Sequence, residues 1–165
     1  MHHRHRIWIF TLLLMGSWMS GPALLAAEPT AEELAVREKA FSSMLSHSVL
    51  VGRFSVDGQE ANETREERYE IESVEKFSGD IWTFTARIKY GQTDLKIPLN
   101  LQVVWAGDTP MINMTDVSIP ALGTFTSRVF FYDGRYAGTW QHGDVGGHMW
   151  GQIEKAEPAD VAPEE

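Results

Sequence analysis

His142 and His148, with Trp140 two positions before the first and Trp150 two positions after the second, are the side chains of this 165-residue chain whose types and spacing could do chemistry. Paired imidazoles can hold a metal or move a proton, and indoles can line a pocket or stack on a sugar ring. Which of these applies depends on turns. Asp133-Gly134 is a strong signal for a two-residue hairpin turn. It sets Tyr132 opposite Arg135, Val129 opposite Gly138, Ser127 opposite Trp140 and Phe125 opposite His142. Phe125, Val129 and Phe131 form the apolar side of the first strand of that hairpin, so Tyr136, Trp140 and His142 point inward with them.

A five-residue turn over 143–147 would place His148 opposite His142 and Trp150 opposite Trp140. Directly opposed residues hold their Cβ atoms ~4.5–5.5 Å apart, near enough for both imidazoles to reach one ion. A four-residue turn, or a bulge at Gly146-Gly147, would instead send Met149, Gly151 and Ile153 inward and His148, Trp150 and Gln152 outward. A one-residue slip exchanges the two faces, and both registers stay open at this point. Catalytic zinc takes three protein ligands, and Asp144 is the only nearby carboxylate. A packed Trp-Gly hairpin with a hydrogen-bonded His142 is the preferred reading, with no metal and no cofactor. The candidate ligand-binding residues are Tyr136, Trp140, His142 and Trp150.

Other chemistries lack their residues. There is no cysteine, which removes thiol nucleophiles, thiolate metal sites and disulfides. No Gly-x-Ser-x-Gly elbow occurs. Asp94, Asp108 and Asp116 fall at scattered turns and strand ends and assemble no carboxylate pair. The glycines between Gly138 and Gly151 precede no helix that could present its N-terminus to a phosphate. The expectation is a protein without enzymatic activity.

The elements that must position these side chains begin after a leader. Basic Met1 to Arg6, an apolar run from Ile7 and the small residues Ala23 to Ala27 read as a signal peptide over 1–27, so the remaining chain is expected to be secreted or periplasmic. The run is broken by Gly16, Ser17, Ser20, Gly21 and Pro22, short of the ~20 apolar residues a span needs, and no membrane insertion is expected after cleavage. The remainder holds 12 basic and 23 acidic residues, a net charge of −11, which disfavours nucleic acid. Its length suits one domain over 28–155.

Thr30 with Glu33 is a capping-box pattern ahead of Leu34, Phe41, Met44 and Leu45, predicting a helix over 31–45. From Ser48 the period changes to two. Strands are expected from Ser48, over 68–77, 82–90, 95–105, 111–117, 124–132, 135–142 and 148–155. The polar segment 59–67 reads as a connection, and the charged run Glu60 to Glu72 as a solvated hairpin edge. Pro98 cannot donate to a ladder and marks an edge or a bulge. Residues 156–165 read as a disordered acidic tail. Eight short strands joined by tight turns make a meander, and closure removes its exposed edges. An all-β, eight-stranded antiparallel up-and-down barrel with one N-terminal helix is therefore predicted.

The stretches Leu50-Val51-Gly52-Arg53-Phe54, Tyr136 to Trp140 and Gly146-Gly147-His148-Met149-Trp150-Gly151 resemble a family of small secreted bacterial proteins of unknown function. More loosely, the chain resembles the lipocalin-type barrels, in which a Gly-x-Trp near the first strand plugs the barrel base; here Gly52-Arg53-Phe54 carries Phe at the aromatic position. The resemblance implies a cup with a small-ligand cavity and carries no activity with it; the barrel and its inferred inward face give the leading expectation, a secreted lipocalin-like protein binding a small apolar or amphipathic ligand. The alternative is a structural or protein-interaction module of the cell envelope, with Trp82, Phe84, Leu99, Leu101, Phe125 and Val129 meeting in a solid core. A metal protein or enzyme using His142 and His148 is the third reading.

Overall fold

Thr30 and Glu33 set the first element. The Glu33 amide donates to Thr30 Oγ1 at 3.3 Å, and the Thr30 amide donates to the Glu33 carboxylate at 2.8 Å, which satisfies orphan donors at the helix start from both directions. Helix α1 follows over Ala31–Leu45, the span expected from the sequence. The structure, a computed structural model, describes residues 29–60, 63–90 and 93–156. The expected leader, and the expected tail beyond Ala156, lie outside the described residues.

Eight strands follow: β1 (Ser48–Phe54), β2 (Arg65–Ser78), β3 (Ile81–Tyr90), β4 (Thr93–Ala106), β5 (Thr109–Ile119), β6 (Gly123–Tyr132), β7 (Arg135–His142) and β8 (Val145–Lys155). Each pairs with its neighbour in the chain, and β1 pairs antiparallel with β8, so the meander closes into a barrel. The period-two alternation explains which side faces in. Trp82, Phe84 and Ala86 on β3 are buried, and Thr83 and Thr85 between them face the other way.

The barrel is not paired evenly. β4 runs with β3 from Thr93 to Gln102 but with β5 only over Gln102–Ala106, which leaves 93–101 without a ladder on the β5 side. Pro98 lies in that local edge, where a strand tolerates a missing donor. The register shifts fall elsewhere, in β2 between Ile71 and Ser73 and between Lys76 and Ser78, and in β5 between Met114 and Val117.

Helix α1 plugs one end. The Phe41 ring centroid lies 5.2 Å from Trp82, 5.9 Å from Trp105, 6.0 Å from Phe131 and 6.2 Å from Phe84. Full burial of such a ring contributes ~1.5–3 kcal/mol, and edge-to-face aromatic pairs add ~0.5–1.5 kcal/mol each. Leu45, 1% exposed, seals the next turn. Polar contacts hold the plug in register: Ser42 Oγ donates to the Val74 carbonyl at 2.6 Å, and the Val74 amide donates to Ser46 Oγ at 3.0 Å. The helix has no basic residue in its last turn. Lys155, at the end of β8, supplies one from outside, donating to the carbonyls of Ser43 at 2.8 Å and Met44 at 3.4 Å, where the helix dipole favours a cation. Among the described residues no helix is long and apolar enough to cross a membrane.

Candidate functional site

The β6–β7 hairpin has the expected register: Tyr132 faces Arg135, Val129 faces Gly138, Ser127 faces Trp140 and Phe125 faces His142. The next turn corrects the expected pairings of His148 and Trp150. It holds only Gly143 and Asp144, with Gly143 at φ +59°, so His142 pairs with Val145, Trp140 with Gly147, Thr139 with His148 and Ala137 with Trp150. Relative to a five-residue turn the faces are exchanged. Met149, Gly151 and Ile153 turn inward, and His148 and Trp150 turn outward. The two imidazoles stand on opposite faces of the sheet, and among the described residues no group of three or more His, Asp or Glu gathers as a metal site would require. Trp150, 40% exposed, lies beside Arg53 on the outer surface and takes no part in the interior.

Two aromatic side chains of β7 lie across glycines of β8. A Cβ on Gly147 would meet the Ser55 carbonyl oxygen at 2.0 Å and the Trp140 Nε1 at 3.2 Å. That bare position lets the indole pass over it and donate from Nε1 to the Ser55 carbonyl at 3.2 Å. Phe54 meets the same indole edge-on at 5.6 Å. Nearer the plug, Tyr136, Gly151, Gly52 and Glu67 are successive cross-strand partners from β7 through β8 and β1 to β2. A Cβ on Gly151 would sit 2.7 Å from Tyr136 Cε1, and one on Gly52 2.3 Å from the Tyr136 hydroxyl. The phenol thus spans two glycine strands, a form of aromatic cover over strand glycines.

The Tyr136 hydroxyl ends on Glu67, donating to Oε1 at 2.7 Å, while the Tyr69 hydroxyl donates to Oε2 at 3.1 Å. Glu67 therefore points inward from β2, with one phenol on each carboxyl oxygen. Burial pushes its pKa above the ordinary value, outweighing the two donors that pull it down. Burial first, and then the neighbouring carboxylate, pushes both phenols well above the usual tyrosine range. They stay protonated and act as donors throughout the physiological range.

Around this group the barrel encloses a cavity of about 1060 Å³. Its deep end, at Ile71, Phe84 and Leu101, abuts the aromatic plug. Its mouth, at the opposite end, is ringed by Val56, Gln59, Arg65, Leu122, His142 and Val145. Leu99, Leu101, Phe84, Phe125 and Val129 line this space rather than meeting in a solid middle. No family model, curated protein or solved structure matches the chain. The cavity and its walls are thus the whole basis for a functional reading.

Of the four expected site residues, Trp140 and His142 line the cavity, Tyr136 acts on it through Glu67, and Trp150 lies outside. His142 stacks on Phe125 with centroids 4.4 Å apart and planes at 20°. Its Nε2 lies where a Cβ on Gly123 would come within 2.5 Å. Glu67 and Tyr69 are the residues sequence reasoning missed, because the run Glu60 to Glu72 is polar on both faces and conceals its alternation. Counting back by twos from Ile71 would have put Tyr69, Glu67 and Arg65 inside. A buried Tyr136 hydroxyl also demanded a partner.

Proposed function

We propose that this protein is a secreted, non-enzymatic, lipocalin-like barrel that holds a small apolar or amphipathic ligand inside the barrel. The carrying observation is the cavity of about 1060 Å³ between an aromatic plug and an opposite mouth. Ligand sites commonly measure ~300–1,000 Å³, with apolar walls and a few convergent polar groups. Here the walls are Leu, Ile, Phe and Met side chains and the polar groups are few, with Glu67 and Tyr69 among them. Export by the 1–27 leader would deliver such a carrier outside the cytoplasm.

Titration of the purified barrel with N-phenyl-1-naphthylamine, an uncharged dye that brightens in apolar surroundings, tests this reading. The expected result is saturable brightening by the wild type and loss of it in Leu101→Trp, whose indole would occupy the deep end. Native mass spectrometry of protein taken from its own export route should show an excess mass that disappears on denaturation. Absence of both dye binding and excess mass would refute a ligand-binding barrel. One observation favours the interaction-module reading: Phe130 and Trp150, 45% and 40% exposed, sit either side of Ala137 on the outer face. A barrel that ignores the dye would leave that face as the functional surface.

A further inference from the structure

Most of the charged lining of the cavity comes from one strand, β2, with Arg53 on β1 beside it. Along the inner face of β2, Arg65, Glu67, Tyr69 and Ile71 run from the mouth toward the plug, whereas β3 to β6 present mostly hydrocarbon, with Phe84, Leu99, Ile112 and Met114 among it. An amphipathic guest therefore has one orientation that pairs its polar end with β2 and its apolar body with the opposite wall.

We propose that the guest carries a protonated amine, seated on Glu67 between Tyr69 and Tyr136, with its hydrocarbon against β3–β6. This deepens the ligand-binding reading and rests on it. Each Glu67 oxygen accepts one phenol hydrogen and keeps acceptor capacity for another donor, and an ammonium group offers donors and no acceptor. A carboxylate withdrawn from water is penalised until an opposite charge reaches it. Among the described residues the nearby arginines pair with Glu66 and Glu70 and none forms an ion pair with Glu67, whose pKa burial raises.

Arg53, Arg65 and Arg68 also border the cavity, and two of them are already paired. Arg53 donates to Thr64 and pairs with Glu66 at 3.6 Å, and Arg68 pairs with Glu70 at 3.8 Å. Arg65 is exposed at the rim. An anionic head would have to bind the exposed Arg65 guanidinium, an ion pair water largely screens, or compete with Glu66 and Glu70 for Arg53 and Arg68, while facing the Glu67 carboxylate. A cationic head gains the buried charge instead. Tyr69 and Phe54, the latter diagonally across on β1, border the cavity beside it.

Displacement of bound N-phenyl-1-naphthylamine by decylamine, decanol and decanoate tests the proposal, since the three share a chain and differ in the head. Decylamine is expected to displace the dye at a concentration at least about tenfold lower than either competitor, the ratio that separates one head-group contact from none. Glu67→Gln should bring decylamine to the level of decanol. Where that variant does not fold, the wild type decides: lowering the pH below 4.5, the ordinary carboxylate value, protonates Glu67 while the amine stays charged, and the advantage must collapse. Equal displacement by all three, a preference for decanoate, or an advantage insensitive to pH would each overturn the amine assignment while leaving a ligand-binding barrel standing. Failure of the dye to bind, with no excess mass on the exported protein, would remove that barrel reading and the amine assignment together.

Discussion

Tyr136→Phe deletes a single oxygen from a ring that is 1% exposed, and the structure fixes what that oxygen does. It ends the 2.7 Å donation to Glu67 Oε1 and leaves the carboxyl with the 3.1 Å bond from Tyr69 alone. The size of the loss depends on the charge of the acceptor. A hydrogen bond to an ionised group contributes about 1.5–3 kcal/mol, against about 0.5–1.5 kcal/mol for a neutral pair. Glu67 has its folded pKa raised above 4.5, so the folded state holds the proton more tightly than the unfolded chain. Its contribution to stability is most favourable below 4.5 and declines as the pH rises through the folded value. Removing a donor that stabilises the carboxylate raises that value further and steepens the decline. The substitution should therefore cost about 0.5–1.5 kcal/mol in acid and about 1.5–3 kcal/mol at neutral pH.

Urea unfolding followed by tryptophan fluorescence measures this directly, because the chain has no disulfide to complicate a two-state transition. Midpoints for wild type and variant at about pH 4 and about pH 7.5, with unchanged slopes, give both differences. A cost under about 0.5 kcal/mol at both pH values, or a larger cost in acid, would refute the role assigned to the Tyr136–Glu67 bond.

Two further perturbations address the glycine rows and the upper wall. Gly151→Ala would drive a methyl group to 2.2 Å from the Val51 carbonyl oxygen and 2.7 Å from the Tyr136 ring; overpacking of this kind costs about 1–3 kcal/mol, and an unchanged melting temperature would show that the phenol does not depend on a bare Gly151. Trp140→Ala removes a cavity wall together with the bond to Ser55. Its affinity for N-phenyl-1-naphthylamine should fall by about tenfold with the far-ultraviolet circular dichroism retained, and an unaltered affinity would take Trp140 out of the site.

Much of this architecture was legible because local signals agreed with the global fold. The Thr30–Glu33 capping box gave helix α1 its full span, and Asp133-Gly134, with both residues at positive φ, set the pairing of β6 with β7 from one end to the other. The next hairpin misled because Gly143, Gly146 and Gly147 all resemble turn residues. Only Gly143 has a positive φ; the other two are strand glycines, and Gly147 is left bare so that Trp140 can cross it. Glycine in a strand reports the close approach of another group, and sequence alone does not say which group approaches. Glu67 was concealed for a related reason. Where both faces of a strand are charged, alternation carries no information, and the inner residues are identified only by what faces them across the barrel.

The clamp of Lys155 on the carbonyls of α1 gives assembly an order in time. The closing ladder joins Ser48–Phe54 to Met149–Lys155, segments roughly 100 residues apart, and contacts at such separation form late. Until that ladder forms, the eight strands can make only a curled sheet with two free edges, its hydrocarbon face open to water and prone to association. The pairing of Ser48 with Lys155 then completes the wall and anchors the plug at the same moment. In a chain that emerges N-terminus first, the wall cannot close before residue 155 arrives, so the barrel interior takes its final form only when the last strand is in place.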